Sequence, residues 1–330
     1  MSSIAVVVLH TNGCFWDFST DNYWKSANII ECIFYFGVPV FFMITGATLM
    51  DYQKRYSTKV YIKKRVNKTL IPFAIWSLIG LAVNIIVDKE PSLSEINLTY
   101  LINGFLGTEF IPIYWFFIPL FCVYASLPLF ASVPDEKRKS LFSYLILAGF
   151  TVNVLIPFIL SVTDFDIKWP NSLKVCSEYL LLALTGYILT KYDLNFKLRS
   201  AIYALGIAGL LMHIIGTYRL SIEAGEIVTL YKGYNNLPCY LYSVGIFVFV
   251  KTISPKVMKS HLKKCILFLG NYTFPVYLMH IYIKAALPRL LHISIYSLAF
   301  RLGAPLLIIP LCIIAAYFLR KIPVIKRIVP

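Results

Sequence analysis

The sequence predicts an all-α protein, a polytopic membrane helix bundle with about ten transmembrane helices. Of its 330 residues, 58% are hydrophobic and only 14% are charged, and the mean hydropathy is +0.72. A water-soluble globular protein carries far more charge on its surface. Apolar stretches of about 20 residues, each long enough to cross a ~30 Å hydrocarbon core, recur between short charged segments. The composition therefore excludes a soluble globular protein.

A transmembrane span is predicted where an apolar run lies between two polar or charged segments. In chain order, the ten predicted spans are residues 1–14, 28–50, 69–87, 113–132, 141–161, 173–189, 200–217, 235–250, 266–286 and 299–319. Glycine and proline inside these spans are compatible with helices in lipid, because neighbouring helices satisfy the freed backbone groups. No remaining segment is long and polar enough for a separate soluble domain. Residues 1–330 are therefore predicted to form one membrane-embedded domain.

The first span is unusually short. Only nine residues precede His10, and no basic residue anchors the start of the span. A charged leader region and a small-residue cleavage pattern are both missing, so a secretory signal peptide is not predicted. A helix that crosses the bilayer needs about 20 residues. The sequence therefore favours a first helix that begins upstream of Met1 in a longer natural chain.

Two features between the second and fourth spans bear on packing. Thr45-Gly46 predicts a close approach of helices, which small residues permit in lipid. Residues 98–106 form an apolar run too short to cross, and they predict a helix lying on the outer membrane surface. Aromatic residues near the ends of spans are interpreted mainly as interfacial anchors. They include Trp16, Tyr23, Trp24, Trp76, Trp115 and Trp169.

The basic residues lie largely in alternate loops. A net charge of +15 would indicate nucleic-acid binding in a soluble protein. These residues instead cluster at 54–68, 137–139, 191–199, 251–264 and 320–327. The positive-inside rule makes these segments cytoplasmic, and an even number of spans then puts both termini in the cytoplasm. These basic segments are predicted to contact the lipid bilayer, and no nucleic-acid partner is expected.

The seven cysteines do not predict a metal centre or a disulfide framework. They lie mostly inside apolar runs, and the sequence has no Cys-x-x-Cys pair and no Cys/His cluster at metal-ligand spacing. They are interpreted as thiols that pack in the protein interior.

His10 is the most informative polar residue, because it follows an apolar run inside the first span. An ionisable side chain at membrane depth is costly to bury, so it is usually paired, reached by water or used in chemistry. Its imidazole could act as a base near neutral pH. It could equally be a hydrogen-bonded packing residue, and the residues alone leave both interpretations open. Glu31 and Glu178 must also be paired or protonated if buried, and the sequence assigns them no partner.

Five segments in a fixed order resemble a known family. They are 5–10 (AVVVLH), 37–46 (GVPVFFMITG), 61–68 (YIKKRVNK), 114–116 (YWF) and 271–280 (NYTFPVYLMH). Together they are similar to acyltransferase family 3, bacterial membrane proteins that O-acylate cell-surface glycans. The resemblance covers nearly the whole chain.

The sequence departs from the family pattern at three points. The family usually carries an arginine about three turns before the first-helix histidine, and this sequence starts after that position. Tyr114 stands where the family often has histidine. The family's Arg-x-Arg is Lys63-Lys64-Arg65 here, and lysine lacks the planar fork of arginine. The missing arginine is consistent with a downstream start or with a degenerate member of the family.

The resemblance implies an O-acyltransferase that moves an acetyl or other short acyl group from cytoplasmic acyl-CoA. The acceptor would be a hydroxyl of a cell-surface glycan or of a lipid-linked sugar, at the bacterial inner membrane. His10 would take the proton from that hydroxyl, since a hydroxyl is a poor nucleophile at neutral pH. No permanently bound cofactor is expected, because acetyl-CoA or another acyl-CoA is a substrate.

Two further groups of residues are assigned to binding. Lys63, Lys64, Arg65 and Lys68 would hold the phosphates of acyl-CoA, although such clusters also anchor topology and bind anionic lipid headgroups. The residues assigned to substrate are Trp115, Tyr277 and His280. Trp115 could instead be an interfacial anchor, and His280 could simply satisfy a neighbouring hydroxyl.

Two other function classes stay open from the sequence. A transporter or flippase for a glycan precursor or small anion also needs polar residues at membrane depth. No matching pair of Gly/Pro-broken helices stands out in the two halves of the sequence, which disfavours it. A structural membrane scaffold is the third alternative.

Overall fold

The computed structural model describes residues 1–92, 94–163, 167, 169–170, 174–259 and 261–330. It is 78% helical, and no strand occurs among these residues. The predicted all-α class is therefore confirmed. The chain divides into two compact units, Met1–Met50 with Val133–Ile313 and Asp51–Ser132 with Ile314–Pro330. The predicted single domain stays a prediction.

The described residues form a succession of α-helices. In chain order they are α1 (Ser2–Thr11), α2 (Asn22–Phe34), α3 (Gly37–Leu49), α4 (Thr58–Arg65), α5 (Ile71–Val83), α6 (Leu98–Leu106), α7 (Phe117–Ala131), α8 (Asp135–Phe150), α9 (Ile156–Val162), α10 (Glu178–Lys191), α11 (Phe196–Ala224), α12 (Leu237–Met258), α13 (Leu262–Gly270), α14 (Thr273–Leu291) and α15 (Leu298–Leu319). Short π-helical segments extend α4, α5 and α8.

Seven helical segments of the described chain are long and apolar enough to cross a membrane. They are Asn22–Lys54, Thr58–Asp88, Pro112–Ala131, Asp135–Val162, Phe196–Ala224, Leu237–Met258 and Leu298–Leu319. The number becomes eight if α13 and α14, which are bent by 67°, form one broken span. Helices α1 and α10, at 10 and 14 residues, are shorter than a full crossing. The count of about ten spans is therefore not confirmed, although each predicted span contains a helix. Residue 173, where the sixth was predicted to begin, lies outside the described residues.

Side-chain caps fix where several helices begin. The side chains of Asn97, Ser177 and Asn195 accept hydrogen bonds from backbone N–H groups in the first turns of α6, α10 and α11. These polar side chains satisfy donors that a helix N-terminus otherwise leaves unpaired. At the other end of α11, Gly225 adopts a left-handed conformation with φ of 71°, which glycine tolerates and which ends the helix.

Two glycines allow α3 and α10 to pack in direct backbone contact. A Cβ atom at Gly46 would overlap the backbone of Ala183, and one at Gly186 would overlap the backbone of Met43. Small residues of this kind let helix backbones approach closely where lipid removes the hydrophobic driving force. The predicted close approach at Gly46 is therefore confirmed.

Changing Gly186 to alanine should destabilise the first unit. The added methyl group meets rigid backbone, so we expect the free energy of unfolding to fall by about 1–3 kcal/mol. The Tm in detergent should fall by several degrees. Gly303→Ala is the matched control, since no atom lies within 4 Å of a Cβ built at that helical glycine. Equal Tm values for the two variants would contradict the packing interpretation.

Two tryptophans interpreted as interfacial anchors are buried instead. Trp24 is completely buried in the first unit, and its indole N–H donates to the carbonyl oxygen of Phe15 at 2.8 Å. Trp76 is 8% exposed in the second unit, and its indole N–H donates to the carbonyl oxygen of Ile328 at 2.9 Å. The interfacial interpretation is wrong for both, because each ring packs inside its unit and each N–H has a protein acceptor.

The second unit contains the helix expected between the third and fourth spans. The run predicted at 98–106 is the helix α6, Leu98–Leu106. Elsewhere in this unit, the Tyr61 hydroxyl donates to the carbonyl oxygen of Tyr124 at 3.0 Å, and the rings of Tyr52 and Tyr61 stack at 4.3 Å. The hydrogen bond ties α4 to α7 within the unit, and the ring contact ties α4 to the segment before it.

Candidate functional site

His10 lies in the last turn of α1, which packs against α2, α3 and α14. Its half-buried ring has its centroid 5.1 Å from that of His280 on α14, and the ring planes meet at 37°. Within the described chain, the ring nitrogens of His10 form no hydrogen bond. The fold thus brings together two histidines that the sequence assigned separately, and it leaves His10 available to a ligand.

The tautomer of His280 follows from its hydrogen bonds. Nδ1 lies 2.8 Å from the carbonyl oxygen of Tyr277 and 3.1 Å from that of Val276. A carbonyl oxygen only accepts, so Nδ1 must carry the hydrogen, and Nε2 of the neutral ring carries the lone pair. Nε2 is buried and has no hydrogen-bond partner among the described residues. His280 therefore holds an unused proton acceptor next to His10.

The residues that follow His10 are tied to two other helices. The Thr11 hydroxyl lies 2.9 Å from the carbonyl oxygen of Arg301 on α15. The Asn12 amide donates to the carbonyl oxygen of Ala27 at 2.9 Å and to Oε2 of Glu31 at 3.3 Å, both on α2. These bonds fix the end of α1, and with it the position of the His10 backbone.

Glu31 has a buried partner that sequence reasoning missed. Its Oε1 lies 3.2 Å from Nζ of Lys232, and the two side chains are only 4% and 1% exposed. Two buried charges need each other, because either one alone would carry a large desolvation cost. Glu31 within an apolar span was a signal that some cation must pair with it, but many loop lysines could have done so.

Lys284 adds a third nitrogen-bearing side chain to this part of the first unit. It lies one helical turn beyond His280 on the same face of α14, and it is half-buried. Its Nζ lies 4.0 Å from the position that a Cβ atom would take at Gly13, three residues after His10. Sequence reasoning missed Lys284, although its i+4 spacing from His280 was a usable signal.

The other two residues assigned to substrate lie in different units. Tyr277 is in the first unit, and its ring centroid lies 5.9 Å from that of His280. Trp115 belongs to the second unit, where its half-buried ring packs edge-on against Phe116 at 6.4 Å. The structure thus groups Tyr277 with the histidines, whereas the role of Trp115 stays a prediction.

The predicted phosphate cluster also belongs to the second unit, at the end of α4. Lys63, Lys64 and Lys68 are exposed, and Arg65 is half-buried. The Arg65 guanidinium lies 5.4 Å from the ring centroid of Tyr124, and its Nε is buried without a hydrogen-bond partner among the described residues. The ammonium of Lys64 lies over the Tyr56 ring at 3.8 Å. None of the four cations forms an ion pair within the part of the chain that the structure describes.

The described residues include no group of three or more His, Cys, Asp or Glu side chains that could hold a metal ion.

Comparison with known proteins identifies the family. A sequence model of the acyltransferase domain matches residues 1–320, which is nearly the whole chain. The search of curated proteins and the search of solved structures each found no match. The family match agrees with the five motif segments and gives no support to a transporter.

Proposed function

The chain belongs to the acyltransferase family that matches it, and we propose that it is an O-acyltransferase of the bacterial inner membrane with both termini in the cytoplasm. It moves an acetyl or other short acyl group from cytoplasmic acyl-CoA to a hydroxyl of a cell-surface glycan or lipid-linked sugar. The observation that carries the proposal is the pairing of His10 with His280 at 5.1 Å. A site for attack by a hydroxyl needs a proton acceptor, and this pair offers two.

In the proposed reaction, an imidazole nitrogen of His10 takes the proton of the acceptor hydroxyl as its oxygen attacks the thioester carbonyl. A carbon–oxygen bond forms, the carbon–sulfur bond breaks and the thiolate of coenzyme A leaves. The proton on His10 then passes to that thiolate, which restores the neutral imidazole. Nε2 of His280 accepts a hydrogen bond from a neighbouring hydroxyl of the same sugar, which holds the attacking oxygen beside His10, and the Lys284 ammonium stabilises the oxyanion that forms during attack.

The donor is proposed to bind through the cluster of Lys63, Lys64, Arg65 and Lys68. These cations form no ion pair with the described residues, and the negative charge of phosphate groups would pair with them. Charge-assisted hydrogen bonds to phosphate are strong. Arg65 is the best supported of the four, because its buried Nε has an unused hydrogen. The lysines supply charge without the bidentate geometry of arginine.

Changing Arg65 to alanine should raise the apparent KM for acetyl-CoA by about tenfold and lower kcat by much less. A phosphate contact remote from the reacting carbonyl contributes mainly uniform binding. Lys59→Ala is the control, because Lys59 is an exposed cation on the same helix but outside the cluster. An unchanged KM together with reduced membrane insertion would identify Arg65 as a topology anchor only.

The function itself is tested with radiolabelled acetyl-CoA and membrane vesicles that contain the protein. Acetyl-CoA does not cross membranes, so inside-out vesicles should transfer label to glycan, and right-side-out vesicles should not. Vesicles from cells that lack the protein provide the background. Label transferred by neither vesicle type would overturn the proposed reaction, and transfer by right-side-out vesicles alone would overturn the orientation.

A further inference from the structure

The two helices that carry the histidine pair end in loops that bind each other. Helix α1 continues into a 3-10 helix, Gly13–Trp16, and α14 continues into residues 292–297. The Tyr296 hydroxyl donates to Oδ2 of Asp17 at 3.0 Å, and the Tyr23 hydroxyl donates to the carbonyl oxygen of Asp17 at 2.8 Å. The Tyr23 and Tyr296 rings meet edge-on at 4.9 Å. By the predicted topology, both loops lie outside the cytoplasm, where a surface glycan is found.

This joint surface exposes two aromatic rings and a carboxylate. Trp16 is 57% exposed and Tyr296 is 40% exposed, and Asp17 is also exposed. Neighbouring exposed aromatic rings rimmed by polar groups are typical of a ligand-binding or interfacial surface. The carboxylate of Asp17 accepts hydrogen bonds and donates none.

Trp16 is fixed from the protein side. The Lys232 ammonium lies 4.4 Å from its ring centroid, and Lys232 is itself held by the buried ion pair with Glu31. The buried ring of Phe15 packs edge-on against Trp16 at 5.2 Å. A desolvated cation over an indole face is attracted to the ring and holds it in place. The indole is therefore held in place while more than half of it stays exposed.

These groups have the chemistry that binds a sugar ring. The apolar C–H face of a sugar packs on an aromatic ring, and its hydroxyls donate to a carboxylate. A lipid headgroup also meets tryptophan at a membrane interface, but the exposed carboxylate disfavours anionic lipid. The observations favour a neutral or basic glycan.

The surface lies beyond the histidine pair along the chain. Trp16 follows His10 by six residues, through the end of α1 and the 3-10 helix Gly13–Trp16, which corresponds to roughly 9–12 Å at helical rises of 1.5–2.0 Å per residue. Tyr296 lies five residues beyond the end of α14 at Leu291. A ligand that contacts both His10 and this surface is therefore longer than a single sugar ring.

We propose that Trp16, Asp17 and Tyr296 form an acceptor subsite for sugar rings beyond the one that is acylated. This inference rests on the proposed function and extends it, since it makes the acceptor an oligosaccharide chain or its lipid-linked form. The subsite supplies binding energy distant from the reacting hydroxyl.

The test compares acceptors of different length. The probes are oligosaccharides released from the host cell envelope by mild hydrolysis and separated by ring number, with radiolabelled acetyl-CoA as donor. Trp16→Ala should raise the apparent KM for acceptors of three or more rings by about tenfold, leave kcat within twofold, and leave the KM for single-ring acceptors and for acetyl-CoA unchanged. The control is Trp169→Ala, because Trp169 is another tryptophan predicted on the outer side of the membrane; its KM values should equal those of the parent.

Two conservative variants separate the contributions. Tyr296→Phe keeps the ring but removes its hydrogen bond to Asp17, and Asp17→Asn keeps the size but removes the charge. We expect each to raise the KM for long acceptors by about threefold. If Trp16→Ala raised the KM equally for single-ring and for longer acceptors, the subsite would be overturned. Parental KM values for all acceptors would overturn it as well.

Equilibrium dialysis of radiolabelled oligosaccharides without acetyl-CoA tests the subsite independently of activity. If the parent protein binds long oligosaccharides and Trp16→Ala does not, but neither transfers an acyl group, the subsite stands and the proposed reaction fails. If the parent transfers acyl groups and the two proteins bind all lengths equally, the reaction stands and the subsite fails. Reduced membrane insertion of Trp16→Ala with unchanged binding would assign Trp16 to the lipid interface instead.

Discussion

Changing His10 to glutamine should lower kcat for acyl transfer by about 10²-fold or more, the scale expected for the loss of a general base. Glutamine keeps a hydrogen-bonding group near the position of Nε2 but cannot take a proton at neutral pH. A merely structural His10 would tolerate this change, because its packing and polarity are largely kept. The measurement is the initial rate of label transfer at saturating acetyl-CoA and glycan, normalised to folded protein.

The control for this variant is His261→Gln, because His261 is exposed at the start of α13. It should retain the parental rate. A general base must be deprotonated, so the parental rate should rise with pH along one limb that disappears in His10→Gln. Parental turnover by His10→Gln at normal protein levels would return His10 to a structural role.

The sequence predicted the helices well where local signals determine them. Helix α6 has the bounds expected, because Asn97 caps its first turn and polar residues flank the apolar run. A close helix approach was predicted from Thr45-Gly46, and the structure identifies the partner as α10, whose backbone at Ala183 leaves no room for a Cβ atom at Gly46. The family was predicted from five short motifs, and the match over residues 1–320 confirms it.

Local sequence signals did not predict contacts between distant parts of the chain. Glu31 had to be paired or protonated if buried, but nothing in local sequence selects Lys232 as its partner among the loop lysines. Trp24 looked like an interfacial anchor because it lies near a span end, whereas tertiary packing buries it completely. The pairing of His10 with His280 likewise depends on how α1 and α14 pack, which hydrophobic periodicity does not determine.

Changing His280 to asparagine should lower kcat by about 10- to 10²-fold while the protein stays folded. The asparagine amide can still donate to the carbonyl oxygen of Tyr277, in place of the Nδ1–H bond of 2.8 Å. It has no group at the position of Nε2. The variant therefore removes the unused proton acceptor and keeps the hydrogen bond that fixes the side chain. His280→Gln, which has an acceptor near Nε2 but loses the Nδ1 donor, is the complementary variant.

The double variant His10→Gln/His280→Asn decides whether the two imidazoles act as one unit on the acceptor sugar. Groups that act as a unit show strongly non-additive effects, so the double variant should be little slower than His10→Gln alone. If the two residues worked independently, their fold-losses would multiply, and the double variant would be slower by a further 10- to 10²-fold. The ring separation of 5.1 Å favours the first outcome, because both rings can contact the same acceptor sugar. A His280→Asn variant with parental kcat would instead show that His280 only packs against His10, and the base would be His10 alone.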